Sequence, residues 1–219
     1  MELLEFARGP ALTASLAVFV LGVLWRMTAI LLLPWTKDYS KPREGAPSTV
    51  WAALAGIVTK MWPHRVFWPV ALFPIVNGYV FHIGLAIVVF AFVPHILFIK
   101  ALSGVAWPAL PNAVIYAVGA ITAASLVAGI LHRVVSPVQR LISRADDYIS
   151  WLVTLAPVVT GLMASAHIGA RYETLFAIHI LSVCVFFIWF PFGKLMHAFL
   201  FIFSRAATGI RFRHRGAEL

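Results

Sequence analysis

Five runs of apolar residues, each as long as a bilayer is thick, decide what this chain can become. They cover positions 10–34, 70–99, 112–131, 149–168 and 174–203. A helix of about 20 residues crosses the roughly 30 Å hydrocarbon core, because each residue adds about 1.5 Å. Lipid offers no partner to a free backbone N–H or C=O, so each crossing has to be helical. The second and fifth runs exceed that length and imply tilt or an extension beyond the membrane. Composition agrees: 62 % of residues are hydrophobic and 11 % charged, against about 45–50 % and 25 % in soluble domains. The expectation is an all-α integral membrane protein, a five-helix transmembrane bundle forming one domain over 1–219, with no room for a separate soluble domain.

The first run lacks the basic start of a cleaved signal, since Glu2, Glu5 and Arg8 sum to −1. Orientation follows from the basic residues. Arg26, the five from Lys37 to Arg65, then Arg133, Arg140, Arg144, Lys194, Arg205, Arg211, Arg213 and Arg215 fall on one side. Arg8, Lys100 and Arg171 fall on the other. Lys and Arg accumulate on the cytoplasmic side, so the N-terminus is expected outside and the C-terminus in the cytoplasm. The net charge of +9 is thus a topology signal, and no nucleic-acid partner is expected. Within the loop 35–68, Ser48 or Thr49 caps a short helix with Val50, Trp51, Leu54, Ile57, Val58 and Met61 along one side, a helix lying in the lipid interface. The tail 204–219 is basic. The single cysteine, Cys184, excludes an internal disulfide, an iron–sulfur cluster held by this chain and covalent C-x-x-C-H haem attachment. No nucleophile constellation, open metal site or glycine-rich phosphate loop is present, so no catalytic residue is assigned.

Eight histidines in so apolar a chain need an explanation. His64, His132 and His214 fall at interfaces or in solvent, and His167 ends the fourth run, either interfacial or part of a site. His82, His95, His179 and His197 lie within runs two and five, where ionisable groups are costly and usually functional. Two on each of two segments point to metal or cofactor ligation, and imidazole is the common protein ligand of haem iron. On one continuous helix, the 18-residue spacing of His179 and His197 is five turns, placing both rings on one face about 27 Å apart. Antiparallel packing pairs His82 with His197 near the cytoplasm and His95 with His179 near the outside. Two imidazoles per iron leave no open position and suit electron transfer. Gly78 and Gly84 beside His82, and Ser182 and Cys184 after His179, suit the close approach of a flat macrocycle. His82 and His95, 13 residues apart, are about 140° out of phase on an ideal helix; Pro94 can distort that turn.

The segment from His179 through Phe190-Pro191-Phe192 and Lys194 to His197, the run Phe81-His82-Ile83-Gly84, Ala145-Asp146-Asp147, and Leu24-Trp25-Arg26 together resemble the gamma, or cytochrome b, subunit family of respiratory nitrate reductase. That family includes the haem b subunits paired with heterodisulfide-reductase-like iron–sulfur proteins, among them sulfite-reduction-associated ones. The resemblance covers nearly the whole chain. It implies two haems b, the inner held by His82 and His197, the outer by His95 and His179. In the nitrate reductase branch the second helix-two ligand follows the first by ten residues; here that position is Phe92, which favours a related branch. The resemblance further implies a subunit that oxidises quinol or reduces quinone (menaquinone or ubiquinone). Electrons would pass to or from a cytoplasmic iron–sulfur partner, in a bacterial or archaeal cytoplasmic membrane. Arg26, His132, Arg133 and Lys194 are candidate partners for haem propionates, and Lys100, His167, Arg171 and Tyr172 for the quinone. Two other readings use the same residues: a proton-coupled transporter with a histidine relay, and a cofactor-free assembly subunit. Intramembrane Asp and Glu and an inverted repeat are both missing, which weighs against the transporter.

Overall fold

The computed structural model describes residues 2–34 and 39–217. Lys37, expected to open the basic loop, and the last two residues of the tail lie outside the described residues. The described chain is helical, without a strand. Five of its helices are long and apolar enough to cross a membrane, so the architecture is that of a multi-pass membrane protein.

Helix α1 runs Leu3–Leu31, beginning earlier than the first apolar run. It widens to a π-helical stretch over Ala7–Ala11 around Pro10. Proline has no N–H and its ring crowds the carbonyl four residues back, and the wider turn relieves both. Helix α2, Thr49–Thr59, is the expected short helix: the Trp51 N–H donates to Ser48 Oγ at 3.3 Å. Helix α3, Trp68–Ala91, kinks at Ala71, three residues before Pro74.

The second apolar run does not stay one helix. Phe92 is extended (φ −90°, ψ 130°), and α4, Val93–Ser103, starts afresh with Pro94 in its first turn. A break inside a bilayer strands carbonyls, which need partners. Val88 O accepts from His95 Nδ1 at 2.8 Å, Phe90 O from the Trp107 indole, and Ala91 O from the Leu110 N–H at 2.9 Å. The segment after α4 thus folds back to close the break that Pro94 opens.

Helix α5 spans Asn112–Val135, α6 Pro137–Ile142 and α7 Ala145–Ala166. The third and fourth runs therefore extend further toward each other than hydropathy implies, and a short helix joins them. The α7 start is fixed by Asp147, whose Oδ2 accepts the Arg144 N–H at 2.9 Å. The fifth run is also broken. Helix α8, Tyr172–Trp189, ends at Phe190-Pro191-Phe192-Gly193, and a 3-10 turn over Lys194–Met196 leads into α9, His197–Arg215. Pro191 packs where a Cβ on Gly22 of α1 would stand, and Gly193 leaves room for the Trp189 ring. His179 and His197 are therefore on separate helices, and the five-turn arithmetic does not apply to them.

The spanning helices pack in the series α3–α5–α7–α8–α1. Gly84 of α3 seats on Thr122 of α5, and Gly129 of α5 on Trp151 of α7. The α1–α8 seam buries Ala7, Ala177, Ile180 and Cys184. Close packing of this kind does not join α3 to α9 or α4 to α8, and side chains bridge those gaps. Helices α2 and α9 form a second, smaller unit. Gly56 lies backbone to backbone on Gly209, with Ala52 fully buried beside them. The outward stripe of α2 leaves Val50, Trp51, Leu54 and Val58 exposed, as an interfacial helix requires.

Candidate functional site

The side chains crossing the gaps are His82, His95, His179 and His197. His82 of α3 and His197, the first residue of α9, have ring centres 5.8 Å apart with planes at 85°. His95 of α4 and His179 of α8 have centres 6.2 Å apart with planes at 24°. These are the two pairings expected from antiparallel packing, reached through the helix breaks rather than along ideal helices. Starting α4 afresh after Phe92 removes the phase mismatch between His82 and His95.

Each ring is held from its Nδ1 side. His82 Nδ1 lies 2.7 Å from Gly78 O, His95 Nδ1 2.8 Å from Val88 O and His197 Nδ1 2.7 Å from Lys194 O. With Nδ1 as the donor, His179 reaches Thr160 Oγ1 at 3.3 Å. A carbonyl acceptor fixes the tautomer with the proton on Nδ1 and frees the Nε2 lone pair, the arrangement seen behind metal-bound imidazoles. Among the described residues no group hydrogen-bonds to any of the four Nε2 atoms. Gly161 makes room for the His179 ring, since a Cβ there would sit 3.0 Å from Cε1, and Gly78 faces open space.

These features fit haem iron. A metal about 2 Å from each of two imidazole nitrogens, with ring centres about 1 Å behind them, separates the centres by roughly 6 Å. Both pairs match. Among the described residues no three His, Cys, Asp or Glu side chains gather as a metal site; each pair could supply two imidazole nitrogens to a haem iron. Three of the small residues expected near it serve elsewhere. Gly84 packs on Thr122, Cys184 faces α1, and Ser182 Oγ donates to His179 O at 2.7 Å.

Around His197 lies an open cleft of about 790 Å³, whose walls include Arg26, Lys194, Ser204 and Arg205. Of the expected propionate partners, Arg26 and Lys194 thus stand at His197. Arg133 does not: its guanidinium donates to Ser143 Oγ at 2.7 Å and sits 3.5 Å from Asp147 Oδ1. Lys194 is also committed, its Nζ 2.5 Å from Asp147 Oδ2. His132 packs its ring on Phe73 of α3, centres 4.6 Å apart. Ser204 and Arg205 are additions made by the fold, although they follow His197 by about two helical turns, a spacing that places them near its face.

At the other end, two of the four quinone candidates, His167 and Tyr172, come together. His167, at φ 56° in the left-handed cap of α7, stacks on Tyr172 at 5.1 Å. Tyr172 stacks on Phe176 at 5.7 Å, and Arg8 lies over the Phe176 ring at 5.5 Å. Arg171 pairs with Glu173 at 3.7 Å on the surface. Lys100 is exposed on α4, outside this column. Phe176 follows Tyr172 by one helical turn on α8, whereas Arg8 joins the column only in the fold, because nothing in the local sequence connects it to α8.

Fold and site together define a multi-pass helical membrane protein with two facing pairs of histidines, His82 and His179 on candidate spans and His95 and His197 just beyond helix breaks. The chain belongs to the same family as a protein of Nitratidesulfovibrio vulgaris (strain Hildenborough), with 33 % identity over 213 residues, 94 % of this chain and 91 % of that relative. The name of that relative, "Protein", states no activity. No family model matches the sequence, and no solved structure does.

Proposed function

We propose that this chain is the membrane cytochrome b subunit of a respiratory complex, with two haems b held by His82–His197 and His95–His179. One observation carries this reading: two histidine pairs, each with ring centres about 6 Å apart, each ring held at Nδ1 and free at Nε2. Bound there, haem supplies reversible one-electron transfer. The chain's own part is to hold the axial imidazoles in one tautomer, to bring them face to face across the gap, and to keep a low-dielectric surround. His95 Nδ1 reaches Val88 O, six residues, or about 9 Å, further along α3 than His82, so the two sites lie at different depths in the bundle. Arg26, Lys194, Ser204 and Arg205 line the His197 end, where they suit haem propionates. The positive-inside count supports that end as cytoplasmic, with the N-terminus outside.

Purified protein is expected to be red and to yield two non-covalent haems b per chain in a pyridine haemochrome assay. A colourless preparation would remove this reading and leave the transporter and scaffold alternatives.

Quinone is placed at the opposite end, against the His167–Tyr172–Phe176 column. A flat ring adds naturally to stacked aromatics, and His167 and Tyr172 bring exchangeable protons. A quinone-site inhibitor is expected to shift the spectrum of the His95–His179 haem more than that of its partner. An equal or reversed response would move the quinone elsewhere. Electrons reaching the His82–His197 end leave to a partner, placed at the basic α2–α9 unit as a cytoplasmic iron–sulfur subunit.

A further inference from the structure

We propose that Asp147 is a positioning residue for His197, acting through Lys194; as a statement about a haem ligand it rests on the reading above. His197 takes its orientation from Nδ1, which lies 2.7 Å from the Lys194 carbonyl. That carbonyl sits in the single 3-10 turn after the Phe190–Gly193 break, so no continuous helix directs it. The Lys194 side chain does. Its Nζ is 2.5 Å from Asp147 Oδ2, while the Asp147 side chain is only 11 % exposed.

The same carboxylate accepts the Arg144 N–H at 2.9 Å and faces Arg133 at 3.5 Å. One buried group therefore ties the end of α5, the start of α7 and the turn before α9. A metal-bound imidazole depends on the group behind it for ring direction and basicity. Here that group is a carbonyl whose residue is held by an ion pair. Lone surface ion pairs contribute little, but a buried carboxylate serving two cations and a backbone N–H is expensive to break.

The test compares Asp147→Asn with the parent protein. Asn keeps the shape and can still accept from the Arg144 N–H, but it gives up the charge that holds Lys194. The signature of the His82–His197 haem in low-temperature electron paramagnetic resonance, and its midpoint potential, should move. Those of the His95–His179 haem should not. Asp147→Glu should return the signal toward the parent, and Lys194→Met should mimic Asp147→Asn, with the double variant no worse than either single one. An unmoved first haem, or both haems moving alike, would overturn the proposal even where His197→Ala confirms ligation. If the protein carries no haem, the functional reading fails separately. Positioning is then read from carbethoxylation of His197 relative to His214 by peptide mass spectrometry. A severalfold change of rate in Asp147→Asn supports it, and an unchanged rate overturns it.

Discussion

Replacing His197 by alanine is expected to leave one haem per chain, the one between His95 and His179. The variant loses an axial nitrogen outright. Even disturbing the group behind a metal-bound histidine costs about 10–100-fold in affinity, and removing the ligand itself costs more. His82 remains, but its ring then faces a gap that holds no second imidazole. His179→Ala should do the reverse, because Gly161 and Thr160 shape space for that imidazole and for no other donor. Haemochrome stoichiometry with potentiometric titration distinguishes the two variants. Retention of both haems in either protein would end the ligand assignment. Loss of both from His197→Ala would show that the pairs are not independent.

The second large effect is expected at Gly209→Leu. The Gly209 and Gly56 backbones touch, and even a Cβ at 209 would overlap both Gly56 and the Ala52 carbonyl. Rigid backbone cannot yield as a side-chain tip does, so α2 and α9 must separate, at a cost of about 1–3 kcal/mol or more. The spanning series makes no use of this contact, so haem content should be unchanged. The basic surface near it, with Lys60 over Phe212 at 5.2 Å and the Arg43 N–H donating to His214 O at 2.8 Å, should lose its shape. If this unit docks the iron–sulfur partner, co-purification should fall and reoxidation of reduced haem by that partner should slow. Full retention of the partner and an unchanged rate would assign these charges to topology and lipid headgroups instead.

The spans are legible in the sequence because lipid imposes one rule on every residue of a crossing, and hydropathy reports that rule directly. The Ser48 cap is legible for a similar reason, since a hydroxyl three residues before an orphan N–H acts locally. The pairing of histidines follows from antiparallel neighbours alone. The helix breaks escape hydropathy, which stays high straight through them, even though each carries its own signal. Pro94 does more than distort a turn; it starts a new helix. Pro191 and Gly193 interrupt the count of turns that would otherwise run straight from 179 to 197. What stays hidden depends on distant partners. Asp147 belongs to a short local motif, and only the fold brings Lys194 to it. Gly56 and Gly209 carry no mark of each other. Gly84 and Cys184, small and near the right residues, turn to face other helices.

Each histidine pair joins residues from distant parts of the chain, His95 to His179 and His82 to His197. During synthesis, then, neither pair exists until α8 has been made. The His95–His179 pair closes first, and His197 emerges eighteen residues later, about one to four seconds at typical elongation rates. Up to that point His82 waits in the bilayer with its Nε2 unmatched. Formation of the His82–His197 pair therefore waits for α9 to begin, and a ribosome that stalls between α8 and α9 delivers a chain with one histidine pair of the two.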